Sequence, residues 1–260
     1  MSLAGKTLKD TYVDLLQMDN ANSGVDTTTR SVKSGTGTIS ALSLSDDVLS
    51  IKPQNDNTTA TFLVEDKSGT DLLVVDSTNS TVQAVGNNVN TQYAHFGHGS
   101  TIASFIANTH YALHFGSSWG LTSGIPAFGT STDPATSFTT ADGAATDAAV
   151  IVPMMWRVPD AISIDGVSSI EGADEATGDT TRMHLFSYDF TSGSTSCLTN
   201  GTLLAHNSDV TNAGSEQAYL SSWTVDSAAV TAGKVILAFF RSDSVNSDYA
   251  INITVKYHLT

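Results

Sequence analysis

From Ile39 to Val85 the chain repeats short apolar alternations: Leu42/Leu44, Leu49/Ile51, Phe62/Val64, Leu73/Val75 and Val82/Ala84, broken by Asn, Asp, Ser, Gly and Pro. Period-2 runs of this length between turn residues predict strands. Two phrases inside the stretch, FLVEDKSGTD and LLVVDSTNST, share one form: apolar pairs, an acid, then a turn. None of the runs is long or aromatic enough to close a core. A ribbon of two or three strands is marginal in water. The stretch therefore needs partners, and copies of itself are the obvious ones.

Ahead of it, Leu8, Tyr12, Leu15 and Leu16 fall at helical spacing. They predict a short amphipathic helix over residues 3–18, stopped by the turn cluster DNANSG with Gly24 at its end. A lone short helix is marginal, so its stripe packs on its own chain or anchors the chain to a larger assembly. The segment starting at Asp19 puts a glycine, Gly24, where a calcium loop wants one. Its last ligand position is Arg30, where a bidentate Glu is required, and the match fails.

Residues 86–148 scatter single aromatics among Gly, Asn, Ser and Thr. They predict short strands at 92–96 and 110–115 and a long surface loop over 129–148. From Ala149 the pattern sharpens into strands at 150–158, 162–170, 182–190, 202–205, 218–225, 234–241 and 249–257. The last alternates Ile251, Ile253, Val255 and Tyr257 inward with Asn252, Thr254 and Lys256 outward, the mark of a half-buried antiparallel strand. KVILAFFR is apolar on both faces, so it belongs at the centre of a sheet or against a neighbouring subunit. Pro153 and Pro159 around MMWRV mark an edge or bulged strand. Several strands with regular turn signals predict an all-β sandwich, best matched by a jelly roll.

Composition narrows the function classes. Charged residues make up 14% of the 260 positions, and small polar residues fill the gap, as in secreted or particle-surface β proteins. The net charge of −15 argues against nucleic acid, which needs clustered Lys and Arg. Residues 1–95 carry 11 acidic and 6 basic groups, and residues 96–260 carry 15 and 5, so the C-terminal stretch is the more acidic. One cysteine, Cys197, excludes an intrachain disulfide. MSLAGKTLKD has no apolar signal region, and no run is apolar enough to span or insert in a membrane. An extracellular style of composition without an export signal predicts a protein made in the cytoplasm and released by lysis.

Candidate chemistry is sparse. His95 and His98, and His110 and His114, are close in sequence, but strand positions three apart face opposite sides. Surface or core histidines are the favoured reading. One histidine per chain around a three-fold axis is the route to a metal site. The run Glu171–Asp179 is oxygen-rich and predicts a solvated turn between strands, with calcium as the alternative. No nucleophile elbow, phosphate loop or zinc-protease motif occurs, and nothing selects a carboxylate pair for glycoside cleavage. No catalytic residue, resident metal or cofactor is assigned, and Cys197 reads as a small core residue. Trp119, Trp156 and Trp223 could stack on sugars of a host glycan, but a place in the core or at a subunit interface is the favoured reading.

The opening MSLAGKTLKDTYVDLLQMDNANSGVDTTTRSVKSGTGTISALSLSDDVLSI, followed by FLVEDKSGTDLLVVDSTNSTV, resembles the N-terminal and stem regions of virion structural proteins of tailed, especially marine, phages. RMHLFSYDFTSG and KVILAFFRSDS are similar to the β-sandwich heads that such fibre or decoration proteins carry. The resemblance implies a homotrimeric, non-enzymatic virion-surface component whose partners are itself and other capsid or tail proteins, with a tail-fibre tip that binds a host glycan as the alternative. It divides the chain into an attachment segment at 1–33 (Leu8, Tyr12, Leu15, Leu16), an intertwined trimeric β stem at 34–90 and a sandwich head at 91–260. The stem interface falls to Leu42, Leu44, Phe62, Val64, Leu73 and Val75.

Overall fold

A computed structural model describes residues 15–21, 23–99, 106–116, 125–143, 145–174, 177–244 and 248–260. Among them the chain is almost wholly β, and every strand pairing is antiparallel. It divides into two compact units, Met1–Val89 and Asn90–Thr260.

The first unit is two successive meanders. Strands β1 (Leu16–Met18), β2 (Arg30–Ser34), β3 (Ile39–Leu44) and β4 (Leu49–Ile51) form one four-stranded sheet in sequence order. Strands β5 (Phe62–Glu65), β6 (Asp71–Asp76), β7 (Thr81–Ala84) and β8 (Asn87–Asn88) form another. After the longer loop from β1 to β2, sequence order follows from short turns built by small polar side chains. Asp66 accepts from the backbone N–H of Ser68 and Thr70 at 2.8 and 2.9 Å. Asp76 does the same for Thr78 and Asn79 at 2.8 and 2.9 Å. The two matching phrases in the sequence are thus two consecutive Asp-closed turns, and Gly69 supplies the positive φ of 85° in the first.

The helix expected at 3–18 is corrected where it can be seen. Leu16–Met18 is a strand, with Leu16 opposite Ser34 and Met18 opposite Val32. The pairing gives these backbone groups cross-strand partners, which a helix too short to hold alone does not offset. Leu8 and Tyr12 lie outside the described residues. Strand β2 also runs across residues 33 and 34, so the attachment segment and stem expected from the sequence share one sheet.

The second unit contains β9 (Thr91–His98), β10 (Tyr111–Ala112), β11 (His114–Phe115), a short helix α1 (Ala148–Ile151), a 3-10 turn (Val152–Met154) and β12 (Trp156–Arg157). It continues through β13 (Ile162–Asp174), β14 (Thr180–Phe190), β15 (Leu198–His206), β16 (Val210–Thr211) and β17 (Glu216–Ser222). It ends with β18 (Thr224–Val225), β19 (Ala229–Val230), β20 (Val235–Ser242) and β21 (Asp248–Leu259). One sheet runs β11-β9-β21-β13-β17 and the other β10-β20-β14-β15-β18, with β19, β12 and β16 at their margins. Phe96, Ile164, Ile251, Ile253 and Val255 of the first sheet share a core with Met183, Leu185, Ile236 and Phe240 of the second. The inward set of β21 is the one its alternation predicts, with Tyr257 half-buried at the rim.

Strand β20 explains its two-sided apolarity. It lies between β14 on one side and β10 and β12 on the other, and Val235–Phe240 are all buried. Its second face is covered by the same chain: Phe128, Phe138, Ile151 and Met154 pack on Phe186, Tyr188, Leu237 and Phe239. The surface loop expected at 129–148 therefore serves, along some of its length, as a lid on the sheet. Phe128 and Phe138 stack at 4.8 Å, and the Tyr188 hydroxyl donates to the Ala135 carbonyl at 2.8 Å. Gly201 permits the close approach, since a Cβ there would stand 2.6 Å from the Tyr188 ring. The strand expected at 150–158 is also corrected. Pro153 sits in the first turn of a 3-10 helix, Val152–Met154, which its fixed φ favours, and only Trp156–Arg157 pair with β20.

Candidate assembly surface

The register of the first unit collects its apolar residues onto continuous faces. Phe62 lies opposite Val75 and Val64 opposite Leu73, and Val75 and Leu73 lie opposite Val82 and Ala84. These six side chains form one face across β5, β6 and β7, because opposite residues share a side and strand positions alternate. Leu63 and Val74, also opposite each other, make the other face apolar too. In the first sheet Leu42 faces Ile51 and Leu44 faces Leu49.

Little of this surface is buried. Among the described residues of the first unit only Val32 and Asp76 are buried. Phe62, Val64 and Val82 are 37%, 38% and 38% exposed, and Leu49 is 62% exposed. A sheet with apolar residues on both sides and no core is incomplete by the measure that governs small β proteins. Several charged residues of the unit are, by contrast, paired locally. Lys33 pairs with Asp19, and Arg30 with Asp26, so the carboxylates of the rejected calcium loop are held by cations of the same chain. The Arg30 side chain holds the Asp26 carboxyl below the usual carboxylate range. Val82 and Ala84 belong to the face as fully as the residues singled out from sequence. Their own alternation signalled it.

The histidines are placed differently from any sequence pairing. His95 is exposed and His98 buried, as opposite faces of a strand require. His98 approaches His114, with ring centroids 6.4 Å apart, and His110 meets His184 at 5.0 Å. Burial lowers all four from the ordinary imidazole value, His98 to about 4 and His184 to about 3. They are neutral core groups at neutral pH. No group of three or more His, Cys, Asp or Glu suited to a metal ion occurs among the described residues.

Glu171 corrects the solvated-turn reading. It sits inside β13, 1% exposed, and the Thr181 hydroxyl lies 2.7 and 2.9 Å from its two oxygens. Burial raises its pKa to about 7. Trp156 and Trp223, the candidates for stacking on sugars, are core residues, the placement favoured for such side chains. Trp156 stacks on Phe115 at 5.8 Å, and the Trp223 indole donates to Ser169 Oγ at 2.9 Å inside the sandwich. Neither offers an aromatic face to a glycan, and Trp119 lies outside the described residues. Cys197 is buried, as its small apolar character implies. No helix among the described residues is long and apolar enough to cross a membrane.

Comparison with known proteins leaves the reading to the molecule itself: no protein-family model and no curated protein matches the chain.

Proposed function

We propose that the chain is a non-enzymatic structural protein that assembles with copies of itself through its N-terminal sheets and displays its C-terminal sandwich. The particular setting this reading favours is the surface of a tailed-phage virion, where three chains would form a fibre or decoration on capsid or tail. The observation that carries the proposal is the apolar face of Phe62, Val64, Leu73, Val75, Val82 and Ala84, left open on a sheet that has no core.

The mechanism is physical. Apolar surface removed from water stabilises by about 25 cal/mol per Å², and three copies meeting along these faces bury what one copy exposes. The resemblance of the N-terminal phrases to phage stem regions gives the number of chains. The two-sheet architecture of the C-terminal unit, with β20 and β21 in opposite sheets, agrees with a jelly-roll head.

Light scattering on the intact chain tests this directly. The expected mass is three times 27.2 kDa, and Phe62→Asp should return it to a single chain. A monomeric wild type, or a variant that stays trimeric, overturns the reading.

A further inference from the structure

The outer face of the β11-β9-β21-β13-β17 sheet carries a second unpartnered surface, separate from the N-terminal sheets. Ile170 on β13 and Leu220 on β17 are opposite each other and 55% and 76% exposed. One register step along, Ala218, Gly172 and Ala250 line up across β17, β13 and β21. The large pair makes a ridge and the small row a furrow beside it, opening into a depression of about 380 Å³. Strand positions two apart stand about 7 Å from each other, so ridge and furrow are neighbours on one face.

We infer that this face docks on a second copy of the C-terminal unit. Charge selects the occupant. The chain carries −15, so two copies repel wherever carboxylates face each other. On this face the outward positions from Ser168 to Gly172, from Ala218 to Ser222 and from Ala250 to Thr254 hold no Asp, Glu, Lys or Arg. Asp174 and Glu216 bound the neutral stretch at one end and Lys256 at the other. A charged partner would find nothing there to steer it. A sugar would find Leu, Ile, Gly and Ala in place of an aromatic platform. A ridge beside a furrow is complementary to itself, which is what contact between identical chains demands.

The inference concerns the C-terminal unit alone and does not rest on the N-terminal assembly. The fragment 90–260 closes its core from its own residues, so it can be studied by itself. Amide NMR spectra of that fragment are recorded as its concentration rises from micromolar to millimolar. Shifts that grow with concentration at Ile170, Gly172, Ala218, Leu220 and Ala250, and that are lost in Leu220→Lys, are expected. Unchanged spectra, or shifts confined to the other sheet, overturn the inference. Shifts at these residues that appear only when an oligosaccharide is added also overturn it, in favour of a small ligand. A failed N-terminal assembly would leave this result untouched.

Discussion

Glu171 is a residue whose ionisation the fold resists. Its carboxyl is enclosed between the sheets with one hydroxyl, from Thr181, to share between two oxygens. The pKa rises from 4.5 to about 7 because the charged form has lost its water. A folded pKa above the unfolded one means that the native state holds the proton longer. The contribution to stability is therefore complete below pH 4.5 and is lost as pH rises through 7. The buried histidines act in the opposite sense. With folded values below 6.5, their contribution is present above that pH and is lost as pH falls toward about 4 for His98 and about 3 for His184. In Glu171→Gln the carboxylate is gone but the shape remains. Its stability by urea titration should equal that of the wild type near pH 4.5 and exceed it at pH 8. The gap at full effect is on the order of 3 kcal/mol, at about 1.36 kcal/mol per unit of pKa. A difference that does not grow with pH would remove Glu171 from the account.

At the scale of elements, the β20 strand is buried along Val235–Phe240 and covered by aromatic and aliphatic side chains of its own chain. The Phe128 ring lies 4.8 Å from Phe138 and 4.7 Å from Phe239, so removing it opens a void with little room to collapse. Phe128→Ala should cost about 3–5 kcal/mol in chemical denaturation of the C-terminal fragment, with faster amide exchange along β20. A cost below about 1 kcal/mol would mean the cover is dispensable. Sequence made this strand legible because Val-Ile-Leu-Ala-Phe-Phe leaves no polar side for water. The cover itself was hidden. Phe128 and Phe138 stand alone among Gly, Thr, Ser and Asp, and irregular backbone carries no period that marks which face is buried. The helix expected around Leu15 and Leu16 fails for the related reason that local spacing says nothing of a strand partner 18 residues away at Ser34. Likewise Glu171 looked like a member of a solvated acidic run, because an acid on a buried strand position breaks the pattern that sequence reading relies on. The histidine contacts were illegible too, since His98 with His114 and His110 with His184 are made by the fold of the sheets.

For the whole molecule the balance lies between apolar faces that attract copies and a charge of −15 on each copy that repels them. Salt shortens the reach of the repulsion, with a Debye length of about 10 Å at 0.1 M and about 3 Å at 1 M, and leaves apolar burial intact. Assembly followed by sedimentation should therefore strengthen as salt is raised. Weakening under the same change would point to ion pairs as the glue and against the faces described. The alternations of the first unit were readable from sequence because its strands follow one another in order, so each turn signal also named a neighbour. In the second unit the strands were readable but the pairing was not, since β9 meets β21 across more than 150 residues.

That last pairing has a mechanical consequence. Thr91 lies opposite His258 and His98 opposite Ile251, so the strand that opens the unit and the strand that closes it run antiparallel, side by side. A tether pulled between Asn90 and Thr260 loads this seam from one end. The hydrogen bonds then break in succession, like a zipper, in place of the shared resistance of strands dragged lengthwise. Tension carried through both ends of the unit opens it gently. Tension that enters through its surface leaves the seam unloaded.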